Sequence, residues 1–422
     1  MSAHDPAKNS KWGQKCRRIS IVVRSLGFPL DNIRILDLSR DLAGPFCSMI
    51  LADLGAEVIK IEIPGKGDEA RSWGPPFIGG ESAYFLSINR NKKSVTLNLK
   101  TEEGKEILYK MVEKSDVFLE NFRLGVAEKL GIQYEKISKI NPRIIHCSIS
   151  GFGYTGPYRN RPAYDIIIQG MSGIMDITGE ASRPPVKMGV SVTDLGVGMY
   201  AAIAILSAII AREKSGKGQW IDISLLDSAV SLLTNVAANY FASGVAPRRM
   251  GSAHPNIAPY QCFKAADGKY LTLAVGNDEI WKRFCRTLGL ERLIDNPEFA
   301  TNPKRVQNRE KLVSVLSEIF LTKKRDEWVR VLLEREVPCG PVNTIEEVFQ
   351  DPQILERNML VEIKHPKVDK IKQIGIPIKF SQTTLDVRSP PPLLGQHTED
   401  VLKNLLNMSD QEINRLKEKS VI

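Results

Sequence analysis

The stretch Leu195–Ala211 constrains this chain more than any other. It is seventeen residues without a charge, with Ala, Ile and Leu dominant from Met199 onward. A run of that length, interrupted by Gly, Ser and Tyr, reads as a helix buried in a protein core. It is borderline for a membrane span, and no other segment competes with it, so a soluble protein with no membrane partner is expected. Immediately before it stands Asp194, preceded by Met188–Thr193 (MGVSVT), which reads as a short strand. The carboxylate is therefore expected where a strand hands over to a buried helix, held ionised and oriented by the helix N-terminus. Two readings stay open here: a plain helix cap, or a carboxylate nucleophile.

At 422 residues the chain is too long for one ordinary core, and two domains are expected. With 42% hydrophobic and 25% charged residues it has a globular composition. The net charge of +9 is unevenly spread. Lys8, Lys11, Lys15, Arg17, Arg18 and Arg24 face only Asp5 in the first 30 residues, which hold five of the nine excess charges. A nucleic-acid footprint over the rest is therefore not supported. That basic tail, with Trp12, Ile19, Ile21 and Leu26, is similar to a mitochondrial targeting segment. The alternative is an uninformative extension on a cytoplasmic protein. Cys16, Cys47, Cys147, Cys262, Cys285 and Cys339 are scattered without a Cys-x-x-Cys, so a reducing compartment fits. His146 and Cys147 are neighbours, but adjacent strand residues face opposite ways, and no metal site is expected.

From residue 32 strands and helices alternate. Strands are expected at Ile33–Leu38, Glu57–Ile63, Ser94–Leu99, Asp116–Glu120 and Arg143–Ser150, with a helix opened by Pro45 and another from Thr101 to about Lys114. This is the pattern of a parallel α/β sheet. The first strand-to-helix turn, Ser39–Pro45 (SRDLAGP), has one glycine where a dinucleotide fingerprint needs three, so NAD binding is not expected although Glu62 is suitably spaced. A long helix should run from Leu225 to about Ser243. The chain then divides into a tail (1–30), a large α/β domain (31–224), a linker helix (225–246), a small inserted α/β domain (247–330) and a return to the large domain (331–422). Within the small unit, strands are expected at Gln261–Lys264 and Tyr270–Val275. Asp326–Glu334 should form a helix with Trp328, Val331 and Leu332 on one face.

Seven segments in order carry a resemblance. They are Ile35–Pro45 (ILDLSRDLAGP), Leu54–Glu62 (LGAEVIKIE), Asn89–Ser94 (NRNKKS), Gly151–Pro157 (GFGYTGP), Lys214–Gln219 (KSGKGQ), Pro338–Pro341 (PCGP) and Leu393–Thr398 (LLGQHT). Together, over residues 30 to 422, they resemble the class III coenzyme A transferases. Trp73–Phe77 (WGPPF) and Pro390–Pro392 make the dicarboxylate (glutarate) branch the most similar. The resemblance implies a Rossmann-like large domain built from both chain ends, a smaller inserted domain and an interlocked homodimer. It also implies CoA transfer between acyl-CoA and carboxylic acid substrates, with the CoA thioester as substrate and no permanently bound cofactor.

The family's nucleophilic aspartate falls on Asp194. An ionised carboxylate attacks a thioester without a general base, so the absence of a Ser-His or Cys-His arrangement is consistent with it. By the same resemblance the amides of Leu42, Ala43 and Gly44 are oxyanion donors. Lys100, Lys129 and the neighbouring Arg123 bind CoA, and Arg40 and Arg90 take a distal carboxylate through bidentate contacts. Tyr164 is expected to line the acyl pocket or to serve simple packing. Gly196 and Gly198 leave room for the thioester, or serve close helix packing. Leu42 stands where formyl-CoA transferases carry glutamine, so formate and oxalate are poor candidates. A racemase of the same fold is the rival, but it needs an acid–base pair, and Tyr164 stands where those relatives have histidine. A non-catalytic CoA- or nucleic-acid-binding protein is the second rival, supported by a pI near 9.1.

Overall fold

A computed structural model describes residues 27–422. Residues 1–26, most of the basic tail, lie outside the described residues. Six parallel strands form the main sheet: β1 Arg34–Asp37, β2 Glu57–Glu62, β3 Lys92–Thr96, β4 Val117–Glu120, β5 Ile145–Ser150 and β6 Trp220–Ser224. Their order is β3-β2-β1-β4-β5-β6, the doubly wound arrangement. Alternation along β1 builds both faces. Ile35 enters one core with Leu51, Val197, Ala201 and Ile205, and Leu36 enters the other with Leu108, Met111, Phe118 and Leu402. Both faces are covered by helices, as a parallel sheet requires.

The first expected helix is α1, Ala43–Asp53. The helix expected from Thr101 covers Glu102–Glu113, with the Thr101 hydroxyl accepting from Gly104 N. The apolar run falls in α3, Val192–Ser215, which packs one face on α1 and the sheet. The other face is uncovered among the described residues: Met199, Ile203 and Ile210 are exposed. Two expectations are corrected. Met188–Thr193 is not a strand; α3 begins at Val192, and the preceding backbone bonds instead to a side chain, Met188 N donating to Gln169 Oε1 at 2.9 Å. The single helix from Leu225 to Ser243 is two, Leu225–Ser231 and Thr234–Ser243, broken where Thr234 takes a φ of +34°.

The inserted unit holds a three-stranded antiparallel sheet, β7 Tyr260–Lys264, β8 Tyr270–Ala274 and β9 Cys339–Pro341, over a core of Trp281, Phe284, Phe320 and Trp328. Because β9 pairs with β8 (Leu271 opposite Pro341), this unit extends beyond residue 330, the boundary expected from sequence. The chain then returns to the edge of the main sheet. Asn91 N donates to Ser389 O, His397 N to Ser94 O and Asn98 N to Val421 O, so the last segment stitches along β3. Val401, Leu402, Ile413, Leu416 and Val421 complete the second core.

Candidate active site

Asp194 is the third residue of α3 and not its cap, which is Ser191. The cap role passes to a side chain from another helix, α2 (Asp165–Met171). Asp165 Oδ1 accepts from Thr193 N at 3.0 Å and from Thr193 Oγ1 at 2.8 Å, and its Oδ2 accepts from Gln169 Nε2 at 2.7 Å. The head of α3 is thus held by Asp165, leaving Asp194 free. Among the described residues no group donates a hydrogen bond to the Asp194 carboxylate. The expectation that the helix terminus keeps it readily ionised is corrected. Burial, with Asp165 and then Asp41 nearby, lifts its pKa to about 7.

The turn Ser39–Pro45 meets this helix head. Leu42 precedes α1, and Ala43 and Gly44 open it, where a helix leaves its amides without intrahelical acceptors. The helices touch at the backbone: a Cβ on Gly198 would lie 2.8 Å from Ala43 O, so Gly198 serves packing. At Gly196 the nearest atom to such a Cβ is Leu232 Cδ1 at 3.5 Å, so this position is not required by close packing. Asp41, in the left-handed region at φ +67°, donates its N–H to Asp68 Oδ1 at 3.1 Å. Burial, with Asp68 and Glu69 beside it, pushes its carboxyl up to about 6. Tyr84 completes the surroundings: burial, followed by the charges of Asp194, Asp41 and Asp165, raises its phenol to about 12, keeping it a donor.

The expected cations divide. Arg40 and Arg123 follow β1 and β4, the strands between which the sheet order reverses, and there open α/β sheets bind ligands. Their loops are joined, since Arg40 N donates to Asn121 Oδ1 at 2.9 Å and Asn121 Nδ2 to Arg40 O at 2.8 Å. The Arg40 guanidinium lies 5.3 Å from the Phe122 ring centre. Arg123 and Lys129 are exposed on that loop and the helix after it. Lys100 is also exposed but follows the outermost strand, β3, away from this crevice. None of these four cations forms an ion pair among the described residues. Arg90 does: it is buried, its Nη2 lies 2.7 Å from Asp53 Oδ2, and its Nη1 donates to Ile374 O. Arg90 is therefore committed to the fold and corrected as a substrate ligand. Tyr164, 56% exposed, stands at the start of α2 next to Asp165.

Asp165, Asp41 and Tyr84 are the site residues that sequence reasoning missed. The only signal was Asp165 opening a helix four residues before Gln169. Nothing in the sequence ties it to Thr193, twenty-eight positions on. Among the described residues no cluster of His, Cys, Asp and Glu could hold a metal ion.

The model of CoA-transferase family III matches residues 30–398. The chain belongs to that family. Human succinyl-CoA:glutarate CoA-transferase is 45% identical over 394 residues, covering 93% of this chain and 90% of its own. The succinate–glutarate CoA-transferase of Agrobacterium fabrum is 43% identical over 383 residues, covering 89% and 96%. A CAIB/BAIF family crystal structure from Brucella suis shares 46% identity at a TM-score of 0.80, covering 90% of this chain and all of that one. As a family III CoA-transferase, the chain is an enzyme whose substrates are CoA thioesters.

Proposed function

We propose that this enzyme moves CoA from succinyl-CoA to a free dicarboxylate, glutarate being the leading acceptor, with Asp194 as nucleophile. The observation that carries this reading is a carboxylate without hydrogen-bond donors at the head of α3, facing a turn whose first helical amides are free. The acyl partners are supported by the names of the human and Agrobacterium relatives. The Asp194 carboxylate attacks the thioester carbonyl, the C–S bond breaks, and CoA thiolate leaves a mixed anhydride. The thiolate attacks the aspartyl carbonyl, releasing succinate and forming an aspartyl-CoA thioester. Glutarate attacks that thioester, and the returning thiolate takes the glutaryl group and frees Asp194. Each tetrahedral oxyanion falls to the amides of Leu42, Ala43 and Gly44. Arg40, Arg123 and Lys129 hold the anionic CoA at the crevice, with Lys100 as an outlying contact.

The chain works as a homodimer in this reading. A second copy would cover the apolar face formed by Met199, Ile203 and Ile210 beside the site. The basic tail directs it to mitochondria, which import of a tail–fluorescent protein fusion would test. Intact mass after mixing with succinyl-CoA, followed by hydroxylamine, tests the chemistry. The expected result is a CoA adduct in wild type, none in Asp194→Ala, and turnover on glutarate. No adduct, together with exchange of the α-proton of a branched acyl-CoA in deuterated water, overturns it in favour of the racemase.

A further inference from the structure

Beneath the Ser39–Pro45 turn lie two lysines whose side chains have 0% exposure, Lys60 on β2 and Lys92 on β3. A buried ammonium costs several kcal/mol unless it is paired and hydrogen-bonded. Each has its carboxylate: Lys60 Nζ is 2.8 Å from Asp68 Oδ2, and Lys92 Nζ is 3.3 Å from Asp37 Oδ2. Each also donates to a backbone carbonyl, and those carbonyls mark the two ends of the turn. Lys60 Nζ donates to Ser39 O at 2.7 Å, while Lys92 Nζ donates to Pro45 O at 2.8 Å and to Asn89 Oδ1 at 2.9 Å. Asp37 braces the turn from below, accepting from Ser39 N at 2.9 Å and, beyond Pro45 in α1, from Ser48 Oγ at 2.5 Å.

This arrangement also accounts for the Asn89–Lys93 segment, whose Asn89 and Lys92 are cluster members. In the first turn of a helix the carbonyls and amides point in opposite directions along the axis. Fixing Pro45 O therefore fixes the direction in which the amides of Ala43 and Gly44 leave the turn. A lysine at each end thus restrains both ends of the turn.

We propose that Lys60 and Lys92 are positioning residues for the acyl-transfer steps. They pin both ends of the Ser39–Pro45 turn and so hold the amides of Leu42, Ala43 and Gly44 in register with Asp194. The inference rests on the CoA-transfer reading given above.

Two double variants remove each charge pair as a unit and leave no uncompensated buried ion: Asp37→Asn with Lys92→Met, and Asp68→Asn with Lys60→Met. Circular dichroism and thermal melting establish folding, titration with CoA reports the cation crevice, and stopped-flow mass analysis reports adduct formation from succinyl-CoA. In a folded variant, adduct formation should slow about a hundredfold, as when an oxyanion donor is lost, while CoA affinity is unchanged. Wild-type adduct formation in either folded pair overturns the inference, and so does a rate loss that follows a matching loss of CoA affinity. Where neither pair folds, Asn89→Ala decides, because it deletes one acceptor of Lys92 and keeps every charge. Slower adduct formation at unchanged CoA affinity then supports the role, and a wild-type rate overturns it. Asp194→Ala run alongside separates the two proposals: an adduct in that variant sinks the nucleophile reading, whatever the lysine variants do.

Discussion

Asp37, below the Ser39–Pro45 turn, and Asp194, beside it on α3, are the same residue in opposite circumstances. Burial alone would raise both. Around Asp37, Lys92, Lys60 and the hydroxyls of Ser39 and Ser48 more than offset burial and hold its pKa down to about 2. Around Asp194 no cation intervenes among the described residues, and Asp165 and Asp41 add to burial to bring it to about 7. The first carboxylate is charged at every physiological pH and its oxygens are occupied, so it can only hold structure. The second has free oxygens and gains from losing its charge. In the proposed mechanism acylation does that, since an anhydride or thioester at Asp194 no longer repels Asp165 and Asp41.

Removing each carboxylate should break different things. Asp194→Ala should abolish the covalent adduct and lower kcat by at least about a thousandfold while the melting temperature holds; steady-state kinetics with calorimetry checks both. Asp37→Ala leaves the Lys92 ammonium buried without its counter-charge, and urea unfolding should show a loss of about 3–5 kcal/mol. Because the folded Asp37 pKa lies below its unfolded value, its contribution is present above that unfolded value and is lost as pH falls towards 2. Gly198→Ala forces a methyl against Ala43 O and should cost about 1–3 kcal/mol in a thermal melt, with activity falling as the turn shifts.

The remaining three outcomes are smaller. Asp194 must be ionised to attack, so adduct formation should fall as pH drops through about 7. Asp165→Asn keeps an oxygen for Thr193 but removes the neighbouring charge, so this acid limb should move down by roughly one pH unit. An unmoved limb in the rate–pH profile would show that Asp165 acts through the cap alone. Lys129→Ala should weaken CoA binding only by roughly 1 kcal/mol or less, most clearly at low salt, as expected of an exposed cation.

Most of the sheet was legible because β1, β2, β4 and β5 alternate or run apolar between turns and fall within a few residues of expectation, whereas β3, with the sequence KKSVT, starts two residues earlier than expected. Asp194 stood out as a lone acid at the head of a long apolar run, where a plain cap and a nucleophile were both open. Only the family resemblance favoured the second, and the structure gives the cap role to the Asp165 side chain. The tuning of Asp194 was not legible, since Asp165 and Asp41 come from separate elements whose approach no spacing encodes. Arg90 misled for the same reason: its partner Asp53 lies thirty-seven positions away, and an arginine in a matching segment looks the same whether paired or free. Met188–Thr193 looked like a strand by composition, yet among the described residues no strand pairs with it. The doubly wound order emerged without the glycine-rich turn that usually announces it; in the proposed mechanism that turn serves an acyl group instead.

The stitching of residues 389–421 along β3 also sets a schedule for synthesis. Edge strand β3 and most of the core beside it are translated within about the first third of the chain, but Val401, Leu402, Ile413, Leu416 and Val421 emerge much later. Until they do, β3 exposes an unpaired edge and an uncovered apolar face on the ribosome, the condition in which a nascent chain most needs a chaperone. A chain cut short before Val421, and so lacking its bond to Asn98, should therefore be made but not kept.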